Sequence, residues 1–357
     1  MRKWCRTTMH GMWTKRSVLN LIFLLLCCGG CIAPRDEVLP ATRTAIVWPS
    51  PPEPGRIRHI GVISTQEDLK RRSSWSQGLG ELFFGKRKIG VLRAPSAVAI
   101  RADGRLFVAD SAGGVVHVFN LLTRKYNQFT FLDRDGTLQM PVALALIDSN
   151  VYVVDSVLHK VCVFDNNGKF RFSFGSERLK RPSGIAYSPL DGKIYVVDTG
   201  GHTLNVFDKN GGFLGQIGSR GVEPGRFNFP THLWIDGEGK LYVSDTLNYR
   251  VQILSRDGRF LKMFGEHGDR PGYFAHPFGI ATDSLGHIYV ADRQFENIQV
   301  FDSDGRILMA FGKEGSDVGE FWLPAGLYID ERNRIYVADS FNKRIQVFEL
   351  LEVPGDE

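Results

Sequence analysis

From Pro95 onward the chain is built of short apolar runs, each closed by a polar residue and a turn. The stretch from Gly286 to Gly312, GHIYVADRQFENIQVFDSDGRILMAFG, carries the pattern most regularly. It predicts three strands, at residues 288–290, 298–301 and 307–311. Asp292 closes the first strand. Ser303-Asp304-Gly305 is a hairpin signal, because the turn needs a small residue at positive φ. Upstream, Pro277-Phe278-Gly279-Ile280-Ala281 opens a further strand, which makes four antiparallel strands per unit.

The strand that ends in Asp recurs six times, at Asp110, Asp155, Asp198, Asp245, Asp292 and Asp339. The spacings of 45, 43, 47, 47 and 47 residues match the period of a four-stranded propeller blade. A proline precedes each innermost strand, at Pro95, Pro141, Pro182, Pro230, Pro277 and Pro324. The third strands, such as residues 116–119 and 345–348, are almost continuously apolar, as expected for sheets covered on both faces. The last copy has only three strands before the tail at 351–357. Residues 56–64, RIRHIGVIS, have the apolar pattern of the missing one. The expectation is an all-β, six-bladed β-propeller of four-stranded antiparallel blades over residues 95–350. Residues 56–64 pair with 345–348 and close the ring, since an open edge would invite aggregation.

The order of proline, strand, Tyr-Val-x-Asp, strand, Asp-Gly and strand-Gly resembles the NHL repeat, most closely over Pro230–Gly265 and Pro277–Gly312. The resemblance implies the propeller fold. It leaves the activity open, because the architecture hosts many functions.

Composition divides the chain. The first 30 residues hold five basic residues and no acid; the rest balances 39 basic against 39 acidic residues. A phosphate-binding surface is therefore not implied by net charge, and no nucleic-acid partner is expected. Four of the five cysteines, Cys5, Cys27, Cys28 and Cys31, fall in or next to this segment. Cys162 lies alone in a strand and is expected to be buried and inert. Residues 1–30, with a basic stretch, a short apolar run and Gly29-Gly30 before Cys31, have a signal-peptide layout and resemble a bacterial lipoprotein signal. The resemblance implies lipidation at Cys31 and, with Ile32 following, an outer-membrane destination. The proline-rich residues 31–55 predict an extended tether. Residues 65–94 form a connecting segment with seven basic residues and one acid between positions 70 and 93, interleaved with Trp75, Leu79, Leu82, Phe83 and Phe84. It reads as a solvated linker packed on the body, or as a patch for an acidic surface.

Six carboxylates in register suggest a ring of ligands, but an Asp at every second strand end is the signature of a turn acceptor. Asp245 and Asp339 also have Arg250 and Arg344 five residues on. Two positions after each proline stand Ala97, Ala143, Gly184, His232, Gly279 and Gly326; small residues there suit close packing round the axis, and His232 alone is a ligand type. A three-histidine metal site from His202, His232 and His276 is the alternative reading. It would make the chain a metal-dependent lyase or lactonase, activities that the family resemblance includes. Phosphate loops, a repeated Cys-x-x-Cys motif and serine-hydrolase elbows are absent from the sequence. Phe227, Phe274 and Phe321 recur in register and mark core. Tyr249, Phe295, Trp322 and Phe341 do not recur, and with Arg293, Asn342, His232 and His276 they are the candidate contacts for a ligand or envelope protein. The leading expectation is a monomeric, lipid-anchored, non-catalytic binding propeller without a cofactor.

Overall fold

The computed structural model describes residues 39, 46–70 and 89–351, and contains the six expected blades. Blade 1 comprises Pro95–Ile100, Arg105–Asp110, Val115–Asn120 and Tyr126–Phe129; blade 2 comprises Pro141–Ile147, Asn150–Asp155, Lys160–Asp165 and Phe170–Phe174. Blade 3 is Pro182–Ser188, Lys193–Asp198, Thr203–Phe207 and Phe213–Ile217, and blade 4 is Leu233–Ile235, Leu241–Asp245, Arg250–Leu254 and Phe260–Phe264. Blade 5 is Pro277–Thr282, Ile288–Asp292, Asn297–Phe301 and Ile307–Phe311. Blade 6 is Pro324–Ile329, Arg334–Asp339, Arg344–Leu350 and, from the other end of the chain, Ile57–Ile63. The described helical segments are three short 3-10 turns.

Residues 57–63 close the ring against the expected strand, with Ile57 opposite Leu350 and Ile63 opposite Ile345. Ile57, Ile60 and Ile63 are almost fully buried, and each contributes about 1.5–3 kcal/mol by leaving water. The sequence boundary needs one correction. Part of the region read as a tether is packed structure: Val47–Trp48 adds a fifth strand to blade 6, with Val47 opposite Arg58. The Trp48 ring lies 5.8 Å from both Phe311 and Phe348, so an aromatic anchor overrides the extended preference of the neighbouring prolines. Residues 1–30, Cys31, 71–88 and 352–357, on which the leader, lipidation, most of the basic segment and the tail were read, lie outside the described residues.

Apolar faces of adjacent blades form six clusters, one at each boundary. This explains why the middle strands lack alternation: both faces of each sheet are interior. Cys162 is fully buried in one such cluster. The Asp-Gly hairpins are tight for a local reason. Gly305 has φ of +80°, and a Cβ there would stand 2.6 Å from the ring of Phe264 in the preceding blade.

The six Asp residues are fasteners. Asp110, Asp155, Asp198 and Asp292 accept hydrogen bonds from the N–H groups of the two residues before the proline of the same blade, for example Ala275 and His276 on Asp292 at 2.8 and 3.0 Å. Asp245 and Asp339 accept from Asn228 and Trp322 and also take the Nε of Arg250 and Arg344, at 2.8 and 2.7 Å. Four residues past each Asp the backbone turns left-handed, at Gly114, His159, His202, Tyr249, Glu296 and Lys343, with φ between +54° and +61°. The sequence reading missed a further element: Gln252, Gln299 and Gln346 in the third strands of blades 4 to 6. Each accepts from a loop glycine N–H, of Gly225, Gly272 or Gly319, and donates to the next carbonyl. The recurring Arg/Asn-x-Gln in three third strands was the signal.

Candidate functional site

The innermost strands surround a channel of about 200 Å³, lined mainly by Ala97, Ala143, Leu144, Ile185, Leu233, Ile280 and Leu327, with His232 and the aromatic residues Tyr187, Trp234 and Tyr328. At the end where these strands begin, small residues let neighbouring blades touch. A Cβ on Gly279 would stand 2.1 Å from the carbonyl oxygen of Ala325 in blade 6, and one on Gly326 2.5 Å from that of Ser96 in blade 1. A second device is a hydroxyl directly after the Asp, present as Ser111, Ser156, Thr199, Thr246 and Ser340. Thr199 and Thr246 donate to the carbonyls of Pro230 and Pro277 in the following blade, at 2.6 and 2.9 Å.

The first device fails at the boundary between blades 4 and 5, which the Thr246 hydroxyl still bridges, and the second is lost within blade 5. Where other blades have Ala or Gly, blade 4 has His232, and its ring lies against Phe278 of blade 5 with centroids 4.4 Å apart. Regular pairing of that innermost strand starts only at Leu233, against Pro95 or its equivalent in the other five blades. In blade 5 the hydroxyl is replaced by Arg293, whose guanidinium stacks on the same Phe278 at 4.5 Å. His276 lies on it too, with centroids 6.0 Å apart and an interplanar angle of 22°. Three departures from the repeat, His232, Phe278 and Arg293, thus meet around the ring of Phe278 together with His276. The site sits at one end of the channel, since His232 lines it.

The polar atoms of this cluster are not saturated. Both ring nitrogens of His232, Nδ1 of His276 and Nε of Arg293 are sealed from solvent and lack a hydrogen-bond partner among the described residues. His232 as a residue keeps partial exposure, but its nitrogens do not, and the nitrogens govern its chemistry. Burial, then the charge of Arg293, lowers the His232 pKa to about 3; the same two causes lower that of His276. Burial lowers the Arg293 pKa as well. Asp292, next to Arg293, is engaged by the N–H groups of Ala275, His276, Gln294 and Phe295. The cluster therefore combines one desolvated cation with two neutral imidazoles.

The other candidates divide. Trp322 and Phe341 are about half exposed and pack on each other at 5.5 Å, at the same end of blade 6. Tyr249 is half-buried against His267 at 4.2 Å, and it occupies the left-handed turn position that every blade has. Phe295 is half-buried. The amide of Asn342 donates to Gly315 and to Asp339 in the fastening of blade 6, as that of Asn248 does to Gly221 and Asp245 in blade 4. The structure does not gather the three histidines into one group. His202 occupies the turn position of blade 3, where its Nδ1 accepts from Phe229 N–H at 3.1 Å, and no group of three His, Cys, Asp or Glu that could hold a metal occurs among the described residues. Phe278, the hub, was not singled out from the sequence. Its signal was there, since the residue after the proline is Ser, Val, Ser, Thr or Ala in the other blades.

The architecture defines the chain as an all-β, six-bladed propeller. Residues 176–243 and 281–353 match a family profile described as 6-bladed beta-propeller. No curated protein matches the sequence. Similar solved structures include virginiamycin B lyase from Staphylococcus aureus, with 12% identity and a TM-score of 0.53 over 72% of this chain and 95% of that one. An auxiliary nutrient binding protein from Bacteroides ovatus has 13% identity and a TM-score of 0.56 over 72% and 70%. Hydrazine synthase from Kuenenia stuttgartiensis has 14% identity and a TM-score of 0.52 over 74% and 97%. At these identities the likeness is one of fold.

Proposed function

We propose that the protein is a non-catalytic binding propeller of the NHL type, lipid-anchored through Cys31 in a bacterial envelope.

The ligand, a small molecule or a group presented by an envelope protein, seats at the end of the channel where blades 4 and 5 meet. One observation carries this reading: three residues that break the repeat, His232, Phe278 and Arg293, meet with His276 around one ring and leave buried polar atoms without partners. A scaffold gains nothing from that arrangement, because each unpaired buried donor costs about 1–3 kcal/mol. Such a cost persists at sites where strain or desolvation serves recognition. The exposed Trp322–Phe341 pair at the same end supplies apolar contact area of the kind that anchors interfaces. The sequence supports the location, through the basic leader and Gly29-Gly30-Cys31. Two membrane anchoring signals, such as more than one acyl chain, give lasting attachment.

The test is a pull-down from detergent-solubilised membranes, using the full chain and a variant with His232→Gly, His276→Ala, Phe278→Ala and Arg293→Ser. The expected result is a companion molecule retained by the natural chain and lost from the variant. Equal retention by both would overturn the assignment of the site. Metal analysis separates binding from metal-dependent catalysis: stoichiometric metal that disappears in His232→Ala would replace this reading with an enzymatic one.

A further inference from the structure

We propose that the cluster at the boundary of blades 4 and 5 is a head-group site for a small organic carboxylate, whose apolar body enters the channel. This rests on the binding reading above and names the class of ligand.

The argument begins with charge. Arg293 is stacked on Phe278, its Nε has no acceptor, and the neighbouring carboxylate of Asp292 is occupied by four backbone N–H groups. The other buried cations of this fold are treated differently. Arg250 and Arg344, at the equivalent end of blades 4 and 6, are each paired with an Asp at 2.8 and 2.7 Å and donate further to loop carbonyls. A desolvated guanidinium without a counter-charge is costly, and an anionic ligand removes that cost on binding.

The shape of the donor set then selects among anions. A guanidinium presents a planar fork that matches a carboxylate in bidentate fashion. A neutral imidazole offers one N–H donor and one acceptor nitrogen, so His232 and His276 can each add a hydrogen bond without adding charge. One cation with two neutral donors suits a monoanion better than a doubly charged phosphate. Beyond His232 the walls are mainly apolar, with Ala97, Ala143, Leu233, Ile280 and Leu327 beside the aromatic rings of the lining, round a channel of about 200 Å³. A dry cavity of roughly 150 Å³ is enough to hold a benzene ring. The complementary molecule is thus a carboxylate on an aromatic ring or a short alkyl chain.

The experiment is calorimetric titration of the full chain in detergent with benzoate, with benzamide as the neutral counterpart, and with sulfate at matched ionic strength. Benzoate is expected to bind, benzamide and sulfate to bind at least tenfold more weakly, and Arg293→Gln to weaken benzoate at least tenfold. Arg293→Lys, which keeps the charge and loses the fork, should fall between the two. Thermal melts of both variants confirm folding. Benzamide binding as tightly as benzoate and lost in His232→Leu would overturn the carboxylate assignment while leaving a ligand site at this end of the channel. Sulfate binding as tightly as benzoate would overturn the selectivity for carboxylates. No binding of benzoate, or benzoate binding unchanged in Arg293→Gln, would overturn the proposal outright. The pull-down has a separate readout, so a protein partner retained there would uphold the binding reading even in that case.

Discussion

The closing seam in blade 6 and the boundary of blades 4 and 5 are both places where the repeat is interrupted, and they are interrupted in opposite ways. In blade 6 the fourth strand is borrowed from residues 57–63, and the interruption is repaired throughout. The strands pair, Trp48 packs on Phe311 and Phe348, and Asp339 binds Arg344, Gln346, Asn342 and the Trp322 N–H. The boundary of blade 6 with blade 1 holds fifteen buried apolar residues in one cluster, against eight between blades 4 and 5. At the latter boundary the interruption is left open. His232 packs on Phe278 of the next blade, Arg293 of blade 5 stacks on the same ring, and several nitrogens stay unpaired. A break that evolution has filled with packing reads as architecture. A break that leaves desolvated polar groups reads as function.

The comparison breaks most severely if the seam is removed. Deleting residues 56–64 exposes the edge of Arg344–Leu350 and removes the three buried isoleucines Ile57, Ile60 and Ile63 from the core. The expected loss is on the order of 5 kcal/mol or more, which is a large part of the whole stability of an ordinary domain. Thermal unfolding followed by circular dichroism should lose its cooperative transition. An unchanged melting curve would mean that the ring holds without its closing strand.

A smaller and more selective effect is expected from the fasteners. Asp339→Asn leaves the buried Arg344 without a counter-charge, at a cost of about 3–5 kcal/mol. In blade 5 the same change, Asp292→Asn, disturbs bonds from neutral backbone donors only, at about 1–3 kcal/mol. Urea denaturation of the two variants measures the difference. Equal losses would show that the ion pair adds nothing to the seam.

These two regions also mark what was legible in the sequence. The blade count, the closing strand and the fastening role of the six Asp residues could be read because each is repeated, and repetition separates a structural demand from chance. Trp48 could not be placed, because a two-residue strand between prolines has no periodicity; its position follows from tertiary contact with Phe311 and Phe348. His232 and Arg293 were visible as departures from the repeat, and His276 as a candidate, but the sequence could not show that they converge. That depends on the lateral contact of two blades through Phe278, 46 residues from His232 in the chain. Tyr249 and His202 were misleading for the same reason that the fold was clear. They stand at a turn position whose backbone is fixed in every blade, while its side chain is free to vary.

Acid sharpens the comparison further, because each region holds a histidine whose ring is desolvated. His232 at the open boundary and His59 at the seam have pKa values lowered from 6.5 to about 3 and about 4, in both cases chiefly by burial and secondarily by an arginine, Arg293 or Arg344. The unfolded chain binds protons at these residues below pH 6.5 and the folded chain does not. Stability therefore falls as the pH drops from about 6.5 towards 4, and both residues contribute to the loss. His232→Leu and His59→Phe should each flatten the dependence of the melting temperature on pH in that window. If neither does so, the imidazoles are accessible to protons in the folded state.

The smallest expected effect is the most discriminating. Arg293→Ser restores at blade 5 the hydroxyl that stands after the Asp in the other five blades, where Thr246, for example, donates to Pro277. The substitution removes a desolvated cation and leaves His232 and His276 without a neighbouring positive charge, so both should take up a proton at higher pH. It also gives up the stacking on Phe278, worth roughly 0.5–2 kcal/mol. The two contributions oppose each other, and the net change in stability is expected to lie within about 1 kcal/mol of zero, on the stabilising side if desolvation dominates. A residue kept for architecture behaves otherwise: its loss leaves a cavity or an unpaired partner and costs several kcal/mol, as at Asp339. Chemical denaturation of Arg293→Ser thus decides what kind of break the boundary of blades 4 and 5 is. A loss above about 2 kcal/mol would make Arg293 a structural element of the ring and move it to the same class as Arg344.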